Sequence, residues 1–206
     1  MTDPALPARP ARRAHRRRST GETSVEVTVD LDGTGRTEID TGVPFFDHML
    51  DQLGRHGGFD LTVKTRGDVE VDAHHTVEDT SIVVGQALAE AWGDKAGVRR
   101  FASGQYPLDE ALVSVALDLS GRPFFVWRVD LPEAIPLGTP PFDPSLAEHA
   151  LGSMATAAAI TLHVSLVEGR NVHHIIEAAF KGVARCLRDA VRVEDGGAIP
   201  STKGRL

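Results

Sequence analysis

The chain has 206 residues and a formal net charge of −7, with 41% hydrophobic and 25% charged residues. This composition is ordinary for a soluble globular protein and excludes global disorder or a fibrous repeat. The single cysteine, Cys186, excludes an intrachain disulfide. The longest uncharged stretch, 149–167, is interrupted by His, Ser and Thr, and the first residues lack the apolar core of a secretory signal. We therefore expect a cytoplasmic protein without a membrane span.

Arginine is concentrated at the amino terminus. Residues 1–18 hold six of the 22 basic residues and one of the 29 acidic ones, which leaves the rest of the chain at −12. A body this acidic is a poor nucleic-acid binder. The Arg run suits a nucleic-acid arm or a targeting peptide, but a Pro/Ala/Arg segment at a terminus is usually a solvated tail. We interpret 1–18 as a disordered tail whose last residues can join the fold.

The rest of the chain presents the same order of elements twice. The segments 24–31 and 112–119 alternate apolar and polar residues, as half-buried strands do, and each ends at a glycine turn. A second alternating strand follows in each half, at 61–63 and 162–164. Each half then reaches the sequence His-His-x-x-Glu and a helix. We predict two repeat halves, 19–97 and 98–206, in an α+β fold whose sheets are backed by helices.

The two His-His-x-x-Glu signatures, at 74–78 and 173–177, are the strongest functional signal. On a helix the first His and the Glu share a face, whereas the adjacent histidines diverge by about 100° and are poorly placed to bind one ion. Two such helices therefore predict two metal centres. Each half also has a lone upstream histidine, His48 in the first and His149 in the second.

Counting these residues gives three His and one Glu for each ion: His48, His74, His75, Glu78, His149, His173, His174 and Glu177. Such a set leaves coordination positions open, which is typical of catalytic rather than structural sites. Imidazole and carboxylate suit Mn, Fe, Zn, Co or Ni, and the ligand set does not choose among them. We interpret the three remaining histidines, His15, His56 and His163, as structural.

A second set of candidate residues is cationic. The carboxyl-terminal segment 197–204 offers Ser201 and Lys203, and Lys181 lies four residues after Glu177 on the same helix face. Arg99-Arg100 and Arg122 lie near turns. Each alone reads as surface charge, but together, in an acidic body, they suit a phosphate-binding site.

Four motifs resemble the imidazoleglycerol-phosphate dehydratase family: Gly42–Leu50, Asp72–Asp79, His173–Lys181 and Pro200–Gly204. The resemblance covers about residues 18 to 206. It implies internal duplication of two similar halves, each a four-stranded sheet backed by two helices on one side, as in the ribosomal protein S5 domain 2-like fold. It also implies two Mn²⁺ per active site, and a homo-oligomer of 24 subunits built from trimers, with sites between subunits.

The resemblance also implies residue roles. The eight counted residues match the family's metal ligands, and Glu22, Glu78 and Glu177 match its catalytic positions. The implied substrate-binding residues are Glu22, Gln52, Arg100, Arg122, Lys181, Ser201 and Lys203. After His149 this chain has Ala150-Leu151 where the family carries a bulky aromatic pair, and 132–144 matches no motif of the family.

The implied reaction is the dehydration of D-erythro-1-(imidazol-4-yl)glycerol 3-phosphate to 3-(imidazol-4-yl)-2-oxopropyl phosphate in L-histidine biosynthesis. We hypothesise that a metal-bound imidazolate expels the hydroxyl group to give a diazafulvene-like intermediate, and that Glu22 then removes a proton from the adjacent carbon. One alternative is a dinuclear metallohydrolase, although such sites commonly contain extra Asp ligands. Another is a metal-storage or metal-stapled structural particle, against which the open coordination and the basic segment argue.

Overall fold

The computed structural model describes residues 11–132, 135–194 and 197–204. Its elements, in chain order, are β1 (Arg13–Ser19), β2 (Thr23–Asp30), β3 (Thr37–Asp40), α1 (Pro44–Gly57), β4 (Asp60–Gly67), α2 (His74–Trp92), β5 (Phe101–Leu108), β6 (Ala111–Asp118), β7 (Phe124–Arg128), α3 (Leu146–Ala157), β8 (Thr161–Glu168) and α4 (Val172–Ala190). The two sheets have the orders β1-β2-β4-β3 and β5-β6-β8-β7. The predicted duplicated α+β architecture is confirmed.

The central strands of both sheets follow the predicted alternation. Val25, Val27 and Val29 of β2 are buried, and β2 pairs antiparallel with β4. In the second sheet β6 pairs antiparallel with β8 in the same way. The outer strands β3 and β7 run parallel to β4 and β8. One face of each sheet is buried against helices, so that period-two alternation is strongest in the strands that lie at the centre.

The amino-terminal arginines correct the predicted tail boundary. Residues 13–19 form β1, which pairs antiparallel with β2 along its whole length, from Arg13 opposite Asp30 to Ser19 opposite Ser24. The prediction of a tail was wrong for 13–18. These residues form an edge strand whose exposed arginines give it the composition of a tail, and the strand is held by main-chain pairing and by ion pairs such as Arg17 with Glu26. Residues 1–10 of the predicted tail lie outside the described residues.

The helices pair across the two halves. The first-half helix α1 packs against α4 of the second half, and α2 packs against α3. Helix α1 starts with Pro44 at its first turn and ends at Gly58, whose positive φ of 71° lets its N–H reach the carbonyl of Arg55. Among the described residues, no helix combines the length and hydropathy needed to cross a membrane.

Candidate metal centres

Each His-His-x-x-Glu signature opens a helix. The side chain of Asn171 caps α4 by accepting hydrogen bonds from the backbone N–H groups of His173 (2.9 Å) and His174 (3.4 Å). At α2, Asp72 accepts the N–H of His74 at 2.7 Å. The adjacent rings lie almost perpendicular, at 87° in the first pair and 85° in the second. They therefore face different directions, as the helix periodicity predicts.

One candidate centre lies between α1 and α4. It consists of His48, His173 and Glu177, which we call the α1–α4 group, and its ligand atoms lie within 4.8 Å of one another. Glu177 Oε2 is 3.2 Å from His48 Nε2 and 3.0 Å from His173 Nε2. The Lys181 ammonium lies 2.5 Å from the other carboxylate oxygen, Oε1. This group therefore contains one carboxylate and two imidazoles, with the ammonium group of Lys181 beside them.

The charge of Glu177 depends on these neighbours. Burial alone raises the pKa of Glu177, but the hydrogen bonds from Lys181 and His48 outweigh it and hold the pKa at about 2. The carboxylate is ionised throughout the ordinary pH range and suits a divalent cation.

The second candidate centre lies between α2 and α3. It consists of His74, Glu78 and His149, the α2–α3 group, whose ligand atoms also lie within 4.8 Å of one another. Glu78 is 4.0 Å from His74 Nε2 and 3.4 Å from His149 Nε2, and the two rings stack with centroids 4.6 Å apart. These residues line an open cavity of about 800 Å³.

The α2–α3 group passes a simple test of fit for a metal ion. His149 Nε2 is buried and makes no hydrogen bond among the described residues, since the Glu78 carboxylate 3.4 Å away does not meet hydrogen-bond geometry. Such an arrangement costs free energy unless a ligand occupies the lone pair. Two imidazoles and one carboxylate form a donor set that divalent first-row metals accept. The residues present therefore fit the implied ion.

Each group takes ligands from both halves of the chain. His48 belongs to the first half but joins the signature of the second, and His149 of the second half joins the signature of the first. Each group thus unites three of the four ligands counted per ion. The fourth histidines, His75 and His174, belong to neither group within one chain.

His75 and His174 instead hydrogen-bond to carboxylates through Nδ1. His75 Nδ1 is 3.0 Å from Asp68 Oδ2, and His174 Nδ1 is 2.7 Å from Glu110 Oε2. Asp68 raises the pKa of His75, and Glu110 raises that of His174. Neither carboxylate was identified from the sequence, because neither belongs to a signature. Each lies just beyond the end of a strand and approaches its histidine only in the folded chain.

The predicted acid/base residue, Glu22, lies in the turn between β1 and β2. Its carboxylate is 3.8 Å from His75 Nδ1, and its side chain is 56% exposed. Gln52 is buried on α1, where its amide nitrogen lies 3.4 Å from His48 Nδ1 and its amide oxygen lies 3.1 Å from His56 Nε2. Both residues therefore adjoin histidines of the predicted ligand set.

The remaining predicted cations cluster near the end of the chain. Arg100 binds both carboxylate oxygens of Asp118, at 2.7 and 3.0 Å, and donates to the carbonyl of Pro200 at 2.7 Å. This contact anchors the segment that carries Ser201 and Lys203, in which Ser201 accepts the N–H of Lys203. Arg122 donates to the carbonyl of Ser120. The described contacts join Lys181, but not these residues, to a metal group.

A buried lysine near these cations was missed by sequence reasoning. Lys95 is 7% exposed and has a positive φ of 62°. Burial lowers the pKa of its ammonium group, despite the opposing charge of Asp118. Arg100 and Arg122 lower that pKa further. A lone lysine after a helix carries no sequence signal for this environment.

Two other acids, Asp79 and Asp47, lie directly beside predicted ligands in the sequence, where the hydrolase alternative would need extra Asp ligands. Asp79 accepts hydrogen bonds from Arg18, Thr23 and Thr20. Asp47 accepts the backbone N–H and the hydroxyl of Thr41, at 2.9 and 2.5 Å. Both carboxylates thus hold strands and helices together, and neither joins a metal group.

The two residues that depart from the family motif lie in the core. Ala150 and Leu151 are 2% and 0% exposed on α3. They follow His149 directly but face the interior, so this departure affects packing behind the ligand and leaves the imidazole free to reach the α2–α3 group.

Comparisons with known proteins agree with these motifs. A family model described as imidazoleglycerol-phosphate dehydratase matches residues 41–187. A relative of that name from Acidothermus cellulolyticus is 56% identical over 99% of this chain and 100% of its own, and one from Frankia casuarinae is 58% identical over 95% and 100%. Crystal structures of imidazoleglycerol-phosphate dehydratase from Staphylococcus aureus and Pyrococcus furiosus are each 34% identical, with TM-scores of 0.79 and 0.76. They cover 88% and 93% of this chain and 99% and 100% of their own.

Proposed function

The chain belongs to the imidazoleglycerol-phosphate dehydratase family and is an enzyme of histidine biosynthesis, and from this premise we propose the reaction that its site performs. The substrate is D-erythro-1-(imidazol-4-yl)glycerol 3-phosphate, and the products are 3-(imidazol-4-yl)-2-oxopropyl phosphate and water. The observation that carries the proposal is the pair of His/His/Glu groups, because two such groups would hold the two divalent cations whose Lewis acidity this reaction requires.

The two groups are the proposed Mn²⁺ sites. His48, His173 and Glu177 hold one ion, and His74, Glu78 and His149 hold the other. When bound, such ions supply Lewis acidity that lowers the pKa of an imidazole N–H and fixes the orientation of the ring. Three protein ligands leave each set one short of the predicted four.

His75 and His174 supply the missing ligands from neighbouring copies of the chain. Both lie outside the group formed by their own signature, and each ring plane is nearly perpendicular to that of the adjacent signature histidine, which supports an assembly whose sites lie between subunits. The proposed assembly contains 24 subunits built from trimers, and its proposed location is the cytoplasm.

Glu22 is the proposed acid/base catalyst. After the ring has expelled the hydroxyl group to give a diazafulvene-like intermediate, Glu22 takes the proton from the adjacent carbon, and the resulting enol becomes the ketone. Its exposed carboxylate near His75 supports this role, because the substrate's ring and side chain must meet there if His75 binds a metal. General-base catalysis of this kind contributes about 10²–10⁴ in rate.

The substrate phosphate is assigned to the basic residues Arg100, Arg122, Lys181 and Lys203 and to the hydroxyl group of Ser201, and Gln52 is assigned a further substrate contact. Support comes from the Arg100–Pro200 contact, which ties the end of the chain to the second sheet. Binding energy from a remote phosphate orients the reacting carbon relative to Glu22.

The test measures metal content and turnover on the same purified sample. Chelation should remove the metal and abolish turnover of imidazole glycerol phosphate, and Mn²⁺ should restore both. The product must be the oxo-phosphate, without release of inorganic phosphate. Phosphate release would favour the hydrolase alternative, whereas metal binding without any turnover would favour the storage alternative.

A further inference from the structure

Two carboxylates hold the histidines that face away from the metal groups. Asp68 and Glu110 each lie within hydrogen-bond distance of Nδ1 of one ring, at 3.0 and 2.7 Å. A carboxylate accepts but does not donate, so a neutral imidazole in this contact must carry its proton on Nδ1. The lone pair is then on Nε2, at the far end of the ring.

The two carboxylates come from different places in the two halves. Asp68 directly follows Gly67 of β4. The counterpart of Gly67 is Gly169, because the two glycines lie against equivalent residues (Thr23 and Thr76, Ala111 and Ile175), and the next residue is Arg170, whose side chain cannot accept a hydrogen bond. In the second half the contact comes instead from Glu110, in the turn between β5 and β6. Two different solutions to the same contact indicate that the contact itself matters.

The strand register makes Glu110 the counterpart of Glu22. Val27 lies opposite Val63 in the first sheet, and Val115 lies opposite Val164 in the second. The same offset carries Glu22 onto Glu110. Both carboxylate oxygens of Glu110 form hydrogen bonds. Oε2 contacts Nδ1 of His174, and Oε1 accepts from the backbone N–H groups of Arg170 (3.3 Å) and Asn171 (2.7 Å).

Glu22 makes no hydrogen bond to its neighbouring histidine, His75. It is 3.8 Å from His75 Nδ1, beyond hydrogen-bond distance, because Asp68 already occupies that nitrogen. We propose that Asp68 and Glu110 are positioning residues that fix the Nδ1–H tautomer and the direction of His75 and His174, and that Asp68 thereby keeps Glu22 free for proton transfer. This inference rests on the proposed function, because it takes both rings to be metal ligands.

The first test reads the tautomers in the metal-free protein. Nitrogen-15 solid-state NMR of the full chain, labelled on histidine and kept at alkaline pH, should show both rings protonated on Nδ1, with peaks assigned by His75→Asn and His174→Asn. Glu110→Ala should shift His174 alone towards the Nε2–H form. Asp68→Ala should leave His75 protonated on Nδ1, because Glu22 then accepts from that nitrogen, and the double variant Asp68→Ala with Glu22→Ala should shift His75 alone. Glu110→Gln, whose amide oxygen still accepts, should retain the tautomer.

Glu26 provides a matched control, because it accepts His15 Nε2 at 2.9 Å on the outer face of the first sheet. Glu26→Ala should change His15 alone. The inference is overturned if either ring carries its proton on Nε2 in the unsubstituted protein, or if Glu110→Ala and the double variant Asp68→Ala with Glu22→Ala leave both rings unchanged.

The second test measures Mn²⁺ affinity and turnover. Loss of a carboxylate that orients a ligand typically weakens metal binding 10–100-fold, so Asp68→Ala and Glu110→Ala should do so, while Glu26→Ala should not. At saturating Mn²⁺, Glu110→Ala should recover kcat, whereas Asp68→Ala should stay about tenfold low, because Glu22 then bonds to His75. Equal recovery of both would overturn the claim about Glu22. Tautomer changes in a protein that binds no Mn²⁺ would refute the proposed metal sites but not the positioning.

Discussion

Glu177 and Glu78 occupy the same place in the two His-His-x-x-Glu signatures, but their side chains are 11% and 38% exposed. Glu177 lies against Lys181, four residues later on α4. The equivalent position on α2 is Ile82, which lines the cavity beside the α2–α3 group. The ligand types are identical, whereas the charge and solvent around them differ.

The two groups share the positions of their candidate ligands but not the residues around them. The i, i+4 spacing of His and Glu fixes the ligand face in both helices. The residue one turn further on is free to be a cation or an aliphatic side chain. We expect the two proposed Mn²⁺ sites to differ in affinity, because Lys181 lies against Glu177 whereas an aliphatic side chain occupies the equivalent position of α2.

The largest expected effect concerns Glu22, whose counterpart in the second half, Glu110, has no proposed role in proton transfer. Glu22→Gln should lower kcat by about 10²–10⁴, because it removes the proposed base. Mn²⁺ content should be unchanged, since Glu22 belongs to neither metal group. Substrate binding should also be kept, because the Gln amide has nearly the size of the carboxylate and still forms hydrogen bonds. Steady-state kinetics together with metal analysis checks this. Glu26→Gln, four residues later on β2, is the control, and unimpaired turnover of Glu22→Gln would remove it from the mechanism.

A second difference between the halves lies behind the ligands. Asp79, next to Glu78, accepts Arg18 and Thr23, whereas the equivalent residue beside Glu177 is the buried Ala178. Burial raises the pKa of Asp79, but the bonds from Thr23 and Arg18 outweigh it and lower that pKa. Asp79→Asn should therefore destabilise the protein by about 2 kcal/mol, or roughly 4–8 °C in Tm.

The direction of the pKa shift of Asp79 determines how the destabilisation by Asp79→Asn depends on pH. A lowered pKa means that the contribution is present above the unfolded pKa of about 3.9 and is lost as the pH falls through the folded value. Thermal unfolding should thus show a constant difference at neutral pH that shrinks in acid. Asp40→Asn, which breaks the exposed pair with Arg66, should cost less than about 1 kcal/mol. Equal effects of both substitutions would contradict the assignment.

The smallest expected effect concerns Lys181. Lys181→Met removes a cation that competes with metal for Glu177, so Mn²⁺ binding to the α1–α4 group should tighten about tenfold. The KM for the phosphorylated substrate should rise at the same time, because a phosphate contact is lost. Ile82→Met, at the equivalent position on α2, should change neither value. Manganese titration monitored by electron paramagnetic resonance, with KM measured in parallel, distinguishes these outcomes, and unchanged Mn²⁺ binding in Lys181→Met would count against the competition.

The central elements were predictable because their patterns are local. The alternation in 24–31 and 112–119 predicts β2 and β6, and the apolar residues of α4, such as Phe180 and Leu187, are buried as their spacing predicts. Edge strands carry less signal. The sequence of β1 reads as a basic tail, and that of β5 contains Gly104 and Pro107, which an edge strand tolerates.

The candidate site shows the same limit. Spacing predicts that His74 and Glu78 share a face, because both lie on one helix. It does not predict that His149 joins them, since that depends on how α3 packs against α2. Asp68 and Glu110 were missed for the same reason, because their contacts with histidines form only when the strand ends and the helix starts are brought together.

The exchange of helices between halves bears on how such a chain could first have arisen. A polypeptide of half this length would carry a lone histidine on one helix and a His/Glu pair on another, and these would not meet within it. Two such polypeptides packed together would bring each lone histidine to the other copy's pair and form both three-residue groups at once. Fusion of the two copies into one chain would then keep both groups within a single polypeptide.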